Sequence, residues 1–88
     1  MAQLKINVER TDKRQLLELE AAGSHEDLTA MLAATVEEHT YRTLLPLPNS
    51  VIGTAAKVEA ALLAQAIKKG MHRAVEEITA SKKAGGAE

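Results

Sequence analysis

Residues 49–83 read NSVIGTAAKVEAALLAQAIKKGMHRAVEEITASKK, and this segment is the most prominent feature of the chain. It contains no proline, and its apolar residues recur every three or four positions, which is the spacing of one helix face. Polar and charged residues lie opposite this face, so the pattern predicts an amphipathic helix. The apolar stripe consists of Ile52, Ala56, Ala60, Leu63, Ile67, Met71, Ala74 and Ile78.

The predicted helix is long for a chain of 88 residues. About thirty helical residues extend roughly 45 Å, whereas a compact domain of this chain length is only about 30 Å across. We therefore expect that the helix either breaks at Gly70 or continues its apolar face onto another chain. A glycine in a helix interior costs about 1 kcal/mol relative to alanine, so Gly70 indicates a bend or a close packing contact.

The composition is that of one small globular domain, with 45% hydrophobic residues and a net charge of −1. We place this domain at residues 1–83 and a disordered tail at residues 84–88. Tyr41 is the only aromatic residue, so the core is small and a partner subunit is expected to supplement it. The absence of cysteine excludes a disulfide framework and a thiolate metal site.

Charge and hydropathy restrict the partners further. A nearly neutral chain argues against a large nonspecific nucleic-acid footprint. No uninterrupted apolar run is longer than the five residues at 60–64, which are far too few to cross a bilayer. We therefore expect a cytoplasmic protein with no membrane partner.

The amino-terminal residues indicate a β-hairpin. Residues 3–9 alternate polar and apolar side chains, as a half-buried strand does. Residues 15–22 are ambiguous, because their alternation favours a strand whereas their Leu, Glu and Ala content favours a helix. We favour the strand, since periodicity is the primary signal. The two strands would then share one apolar face formed by Leu4, Ile6, Val8, Leu17 and Leu19.

A capped helix follows the hairpin. Ser24 is a suitable N-cap, and Asp27 stands three residues later, as in a capping box. An apolar stripe at helical spacing predicts a helix over residues 25–39 with its face toward the hairpin. Residues 41–45 are compatible with a short strand, and Pro46 and Pro48 predict an extended connection to the long helix. The fold class is α+β: an N-terminal antiparallel β-hairpin, one capped helix, a Pro-containing connection and a long C-terminal helix.

This order of elements resembles archaeal RNA polymerase subunit L, a small alpha-like assembly subunit. The acidic second strand, LELE at residues 17–20, is followed by Gly23 and by a helix with paired apolar residues, as in that family. Tyr41 and the Pro46-Leu47 pair are similar to family positions in spacing. The segment between the two helices is too short for the family's third and fourth strands. The resemblance implies a non-catalytic subunit that heterodimerises through its sheet and its long helix.

A second resemblance applies if residues 15–22 are helical. The chain then reads strand, helix, helix, which is similar to the ribbon-helix-helix repressors. In that family two strands pair across a dimer and place alternate polar side chains in the DNA major groove. Gln3, Lys5 and Asn7 are the matching residues. The resemblance implies a DNA-binding transcriptional regulator.

No constellation for catalysis or metal binding is found. His25, His39 and His72 do not form an HExxH motif and do not stand at metal-ligand spacing from one another. The acidic pairs at 37–38 and 76–77 are adjacent residues, which point about 100° apart on a helix and do not converge. We predict that the chain is not an enzyme, has no catalytic residues and uses neither a cofactor nor a metal.

The function predicted from the sequence is assembly with a protein partner, as a homodimer or a heterodimer. The long C-terminal helix and the hairpin sheet would supply the contact surfaces. The predicted partner-binding residues are Leu62, Leu63, Ile67, Met71, Val75 and Ile78. Nucleic acid is a partner only under the ribbon-helix-helix alternative.

Overall fold

The computed structural model describes the backbone of residues 1–86 and the side chains of residues 1–82. It contains strand β1, Gln3–Arg10, strand β2, Gln15–Ala22, helix α1, His25–Leu44, and helix α2, Asn49–Gly86. An antiparallel hairpin is thus followed by two helices, which confirms the predicted α+β class. The connection between the helices contains Pro46 and Pro48, but residues 45–47 form a turn and a bend rather than the predicted extended path, because Leu45 keeps a helical backbone conformation.

The hairpin settles the ambiguity at residues 15–22, which form strand β2. Strand β2 pairs with β1 in a register that sets Leu4 against Ala21, Ile6 against Leu19 and Val8 against Leu17. Side chains of residues directly opposite in an antiparallel pair lie on the same face. The predicted apolar face of the hairpin is therefore confirmed, and cross-strand pairing outweighs the helix propensity of Leu and Glu.

A glycine turn links the hairpin to α1. Gly23 has φ = 136°, a backbone conformation that L-residues rarely adopt. A Cβ at this position would lie 2.9 Å from Ala2 Cβ, so Ala2 leaves no room for a side chain at Gly23. The next residue, Ser24, is the N-cap of α1, and its Oγ accepts a hydrogen bond from the Asp27 N–H at 3.1 Å. The predicted start of α1 is thus confirmed.

Helix α1 is longer than predicted, because it ends at Leu44 rather than at residue 39. The short strand considered for residues 41–45 is wrong. Residues 41–44 instead continue helix α1. There Arg42 Nε donates to Glu38 Oε1, one helical turn earlier, at 2.9 Å. The Leu45 N–H donates to the Tyr41 carbonyl at 3.0 Å. Pro46 has no N–H and clashes with a preceding helical turn, so it ends the helix only after this last bond has formed.

Helix α2 runs without interruption through 38 residues, which corresponds to a length of about 57 Å. Of the two outcomes considered for Gly70, a break in the helix is therefore not observed. The helix also includes residues 84–86, which the sequence had assigned to a disordered tail. Ala87 and Glu88 of that tail lie outside the described residues.

The chain divides into two compact units, Met1–Pro46 and Leu47–Glu88. In the first unit, α1 contacts β1. In the second unit, α2 is the only helix or strand within the part of the chain that the structure describes. None of the residues with described side chains is buried, and they range from half-buried to exposed. The assignment of residues 1–83 to one domain stays a prediction.

Candidate protein-interaction surfaces

The first candidate surface is the apolar stripe along the carboxyl half of α2. At about 100° per residue, Leu63, Ile67, Met71, Ala74 and Ile78 fall within an arc of about 80°. All five side chains are exposed, Ile67 to 73% and Met71 to 54%. We call these five residues together with Gly70 the α2 seam.

The two other predicted partner-binding residues flank the α2 seam. Val75 lies at one edge of it, about 40° beyond Met71. Leu62 lies about 100° from Leu63 on the other side. Both side chains are exposed. The helix therefore brings five of the six predicted residues to one side, and it places Leu62 on a neighbouring row.

The stripe has a regular step pattern that accounts for its straight course along α2. From Ile52 to Ile78 the steps are four, four and three residues, and the pattern then repeats. Such an 11-residue repeat averages about 3.67 residues per turn, close to the 3.6 of a straight helix. An apolar row of this kind drifts about 20° per 11 residues around a straight helix, more slowly than a heptad row, which drifts about 20° per seven residues in the opposite sense. The α2 seam is the exposed carboxyl part of this repeat.

Gly70 lies within the α2 seam and leaves a notch in it. Within the described residues of its own unit, a Cβ built at Gly70 would meet nothing within 4 Å. A glycine at an interior helix position costs about 1 kcal/mol relative to alanine. Its neighbour Met71, a long and flexible side chain, lies about 100° away around the helix, at the opposite edge of the seam.

The second candidate surface is the apolar face of the hairpin. Leu17 is 59% exposed and Leu19 is 60% exposed, and their cross-strand partners Val8 and Ile6 are exposed as well. We call these four residues the hairpin face. A two-stranded hairpin is marginally stable in water unless its apolar face packs against another element. The hairpin face is therefore an apolar surface that remains largely uncovered within its own unit.

Sequence reasoning placed α1 over the hairpin face, and the structure shows only a limited contact. The apolar side chains at the start of α1, Leu28 and Met31, are half-buried. A Cβ at Gly23 would be 3.9 Å from Leu28 Cδ2, so α1 passes beside the end of the hairpin. The sequence analysis predicted the hairpin sheet as a contact surface but did not name these four residues among the partner-binding residues. The signal available in the sequence was that two strands offer more apolar area than one short helix stripe covers.

The opposite face of the hairpin is polar and carries the residues of the DNA-binding alternative. Lys5 lies opposite Glu20 in the strand register, and Asn7 lies opposite Glu18. The third residue, Gln3, lies opposite Ala22. The strand is paired within its own chain, and residues 15–22 are not helical, so the condition for the ribbon-helix-helix architecture is not met. Two carboxylates beside these residues would also repel a phosphate backbone.

The histidines do not form a site. His25 Nε2 lies 3.4 Å from Thr29 Oγ1, which is an exposed contact along α1. His39 and His72 are exposed side chains on different helices. Within residues 1–86, no group of three or more His, Cys, Asp or Glu residues has the geometry to hold a metal ion.

Helix α2 also meets the length and composition criteria of a membrane span. Among the described residues it is the one helix that does so, over Asn49–Lys82. One such helix is weak evidence, because core helices of soluble proteins meet the same criteria; those helices are mostly buried, whereas none of this apolar window is buried within the described residues. Lys57 and Glu59 interrupt the apolar amino half of the helix, and charged residues recur from Lys68 onward.

Comparison of the chain with known protein families, with characterised proteins and with solved structures finds no match.

Proposed function

We propose that this protein is a non-catalytic assembly subunit that binds a protein partner through the α2 seam, with the hairpin face as a second contact surface. The exposed α2 seam carries this proposal. A long apolar stripe on a helix that has no covering element in its own unit is typical of an interaction surface.

Energetics support the same conclusion. Burying an exposed Leu, Ile, Val or Met side chain contributes about 1.5–3 kcal/mol. The α2 seam contains four side chains of this size, Leu63, Ile67, Met71 and Ile78. A partner helix that fully covers the four would contribute about 6–12 kcal/mol before the cost of association, which is of similar size. Folding and assembly are therefore expected to be coupled.

From the resemblance to RNA polymerase subunit L, we propose a multisubunit RNA polymerase as the assembly in which such a subunit would act. This proposal rests on the order of the hairpin and the helices and on the residues quoted above. In that setting the hairpin face and the α2 seam would contact a larger subunit.

Substitution of the most central long side chain of the α2 seam tests the proposed function. Met71→Glu places a charge in the contact surface, where burial of an unpaired charge is strongly unfavourable. We expect sedimentation equilibrium to show that Met71→Glu shifts the chain from its assembled form toward the monomer. The matched control is Thr79→Glu, an exposed position of the same helix that lies about 80° from the nearer edge of the seam.

The two variants have the same change in charge, so a difference between them reports the position in the helix. Equal effects of Met71→Glu and Thr79→Glu on the assembled fraction would contradict the proposal. A wild-type chain that is a stable, well-folded monomer would contradict it as well.

A further inference from the structure

The outer edge of β1 is an open hydrogen-bonding surface. Within residues 1–86 the sheet has two strands, β1 and β2, so each of them has one edge without a neighbouring strand. We propose that the β1 edge pairs antiparallel with the β1 edge of a second copy of this chain, with the two-fold axis at Asn7. The two hairpins then form one four-stranded sheet. This inference goes beyond the proposed function, because it assigns a surface that is separate from the α2 seam.

The hairpin register shows which backbone groups of β1 are open. The Thr11 N–H donates to the Arg14 carbonyl at 2.8 Å, which makes Thr11 and Arg14 a hydrogen-bonded pair next to the turn. Hydrogen-bonded and non-hydrogen-bonded pairs alternate along an antiparallel ladder. The odd-numbered residues of β1 therefore bond to β2, and the N–H and C=O groups of the even-numbered residues point to the outer edge. These even-numbered residues are Leu4, Ile6, Val8 and Arg10.

The side chains of β1 leave this edge accessible. Leu4 is half-buried, and the other residues of the strand are exposed. The strand contains no proline, which would remove a backbone donor from the edge. An edge strand with a row of open backbone groups is a template for pairing with a strand of another chain.

Charge selects both the register and the occupant of the edge. Two copies of β1 can pair antiparallel only in registers that set even-numbered residues opposite each other, because these carry the open backbone groups. With Asn7 on the two-fold axis, Lys5 lies opposite Glu9 of the second copy, and this pair occurs twice. With Lys5 or Glu9 on the axis, like charges would lie opposite each other, which is destabilising. Registers centred on Ile6 or Val8 set Lys5 and Glu9 opposite uncharged residues.

The same register joins the two hairpin faces. A two-fold axis perpendicular to the sheet leaves both apolar faces on the same side. Ile6 then lies opposite Val8 of the second copy, and two rows of exposed apolar side chains cross the sheet. Each row consists of Leu19, Ile6, Val8 and Leu17, in this order. A two-stranded hairpin is marginal in water, whereas four strands with an apolar face reach the size that independent stability requires.

The outer edge of β2 does not match a second copy in this way. The only charged residues of β2 are Glu18 and Glu20, so this strand offers no cation to a second β2. In the proposed dimer both free edges are β2 strands, and their carboxylates oppose the addition of a further strand of the same kind. The assembly therefore closes at two copies.

Disulfide formation in the full chain tests the register. The chain has no cysteine, so an introduced cysteine can pair only with its own copy. The Asn7 Cα atoms of the two copies would be about 4.5 Å apart, as in a non-hydrogen-bonded pair, and a disulfide spans about 4.4–6.8 Å. The Lys5 Cα atoms would be about 14 Å apart along the strands, which is too far for a disulfide.

We expect Asn7→Cys to form a covalent dimer in a glutathione redox buffer, seen on a non-reducing gel. The controls Lys5→Cys and Glu9→Cys should stay at the background level, which is measured in urea, where only random collisions join cysteines. Cross-linking of either control as efficient as that of Asn7→Cys would overturn the register. Absence of the Asn7→Cys disulfide in a chain with unchanged circular dichroism would overturn the edge pairing.

Charge reversal tests the occupant independently. Glu9→Lys and Lys5→Glu each set like charges opposite each other in the homodimer, and we expect each dissociation constant to rise at least about fivefold. A mixture of the two variants restores both opposite-charge pairs, so the mixed dimer should dissociate like the wild type. Lys5→Glu also lies opposite Glu20 of its own chain, but this contact is the same in both dimers. Fluorescence anisotropy with one variant labelled measures the mixed dimer, and a mixed dimer no tighter than the two homodimers would overturn the pairing of Lys5 with Glu9.

The β1 edge and the α2 seam can fail separately. If Asn7→Cys cross-links while Met71→Glu assembles like the wild type, the edge pairing stands and the proposed function fails. If Met71→Glu lowers assembly and Asn7→Cys does not cross-link, the proposed function stands and the second copy at the β1 edge is overturned. Species that grow beyond two copies as the concentration rises would also overturn the closed pair, because head-to-tail contacts between β1 and β2 edges grow in that way.

Discussion

Ile6 of β1 lies directly opposite Leu19 of β2, and both side chains are exposed. Two large apolar residues in this relationship normally form part of a core. Here they belong to a hairpin face that α1 only borders. The second apolar surface, the α2 seam, is on a helix with no covering element in its own unit. Each unit thus has one apolar surface that an assembly partner would bury.

A charge introduced into the hairpin face should weaken assembly. Leu19→Glu removes apolar area and adds a carboxylate, so the assembled form should be weakened by about 2–3 kcal/mol if a partner covers this face. Sedimentation equilibrium measures the change. The matched control is Glu20→Leu, which adds apolar area on the polar face and should not weaken assembly. If Leu19→Glu assembles like the wild type, the hairpin face is not a contact surface.

Gly23→Ala should destabilise the first unit. The positive φ is unfavourable for alanine, and the new Cβ would collide with Ala2 at 2.9 Å. We expect the free energy of unfolding, measured by urea denaturation, to fall by about 1–3 kcal/mol. Gly53→Ala is the control and should raise it by up to about 1 kcal/mol, because this helical glycine has open space around it. Equal effects of the two substitutions would refute the assigned role of Gly23.

Removal of the N-cap of α1 should lower stability by less than Gly23→Ala does. Ser24→Ala removes the Oγ that accepts the Asp27 N–H and should lower stability by about 1 kcal/mol. Ser24→Asp keeps an acceptor at the cap and should retain most of the stability. Thermal unfolding followed by circular dichroism compares the two variants. A Ser24→Ala variant as stable as Ser24→Asp would show that the cap contributes nothing.

The ion pair between Glu38 and Arg42 should contribute little, although its atoms are only 2.9 Å apart. Both side chains are largely exposed, and exposed pairs one turn apart on a helix contribute about 0.3–0.5 kcal/mol. Glu38→Gln should therefore change the urea midpoint only slightly, and high salt should reduce the difference further. A loss above about 1 kcal/mol would indicate that Glu38 has a further partner in the assembled protein.

Much of the fold could be predicted from local patterns. Alternation at Leu4, Ile6 and Val8 identified β1 and the face that pairs with β2. The strand at residues 15–22 could only be favoured, because its propensity opposed its periodicity and the deciding cross-strand contacts are not local. The extension of α1 beyond residue 39 was missed, since Pro46 prevents a helix only after Leu45 has donated its hydrogen bond.

The sequence predicted which residues of α2 share one side of the helix. It did not predict whether the helix continues past Gly70 or whether the hairpin face is exposed. Helical spacing alone placed Leu63, Ile67 and Ile78 on one side of α2. It did not decide whether Gly70 interrupts the helix, because a cost of about 1 kcal/mol is small beside the cooperative stability of a long helix. The exposure of the hairpin face depends on where α1 lies, which is a tertiary property that no local pattern specifies.

Sedimentation equilibrium of the wild-type chain, combined with circular dichroism on the same samples, tests assembly through α2 most directly. At concentrations down to about 1 µM, where association must supply about 8 kcal/mol, we predict a particle of twice the chain mass of 9.4 kDa. The helical signal should decline as the dimer dissociates. A species of 9.4 kDa that keeps its full helical signal on dilution would contradict the account.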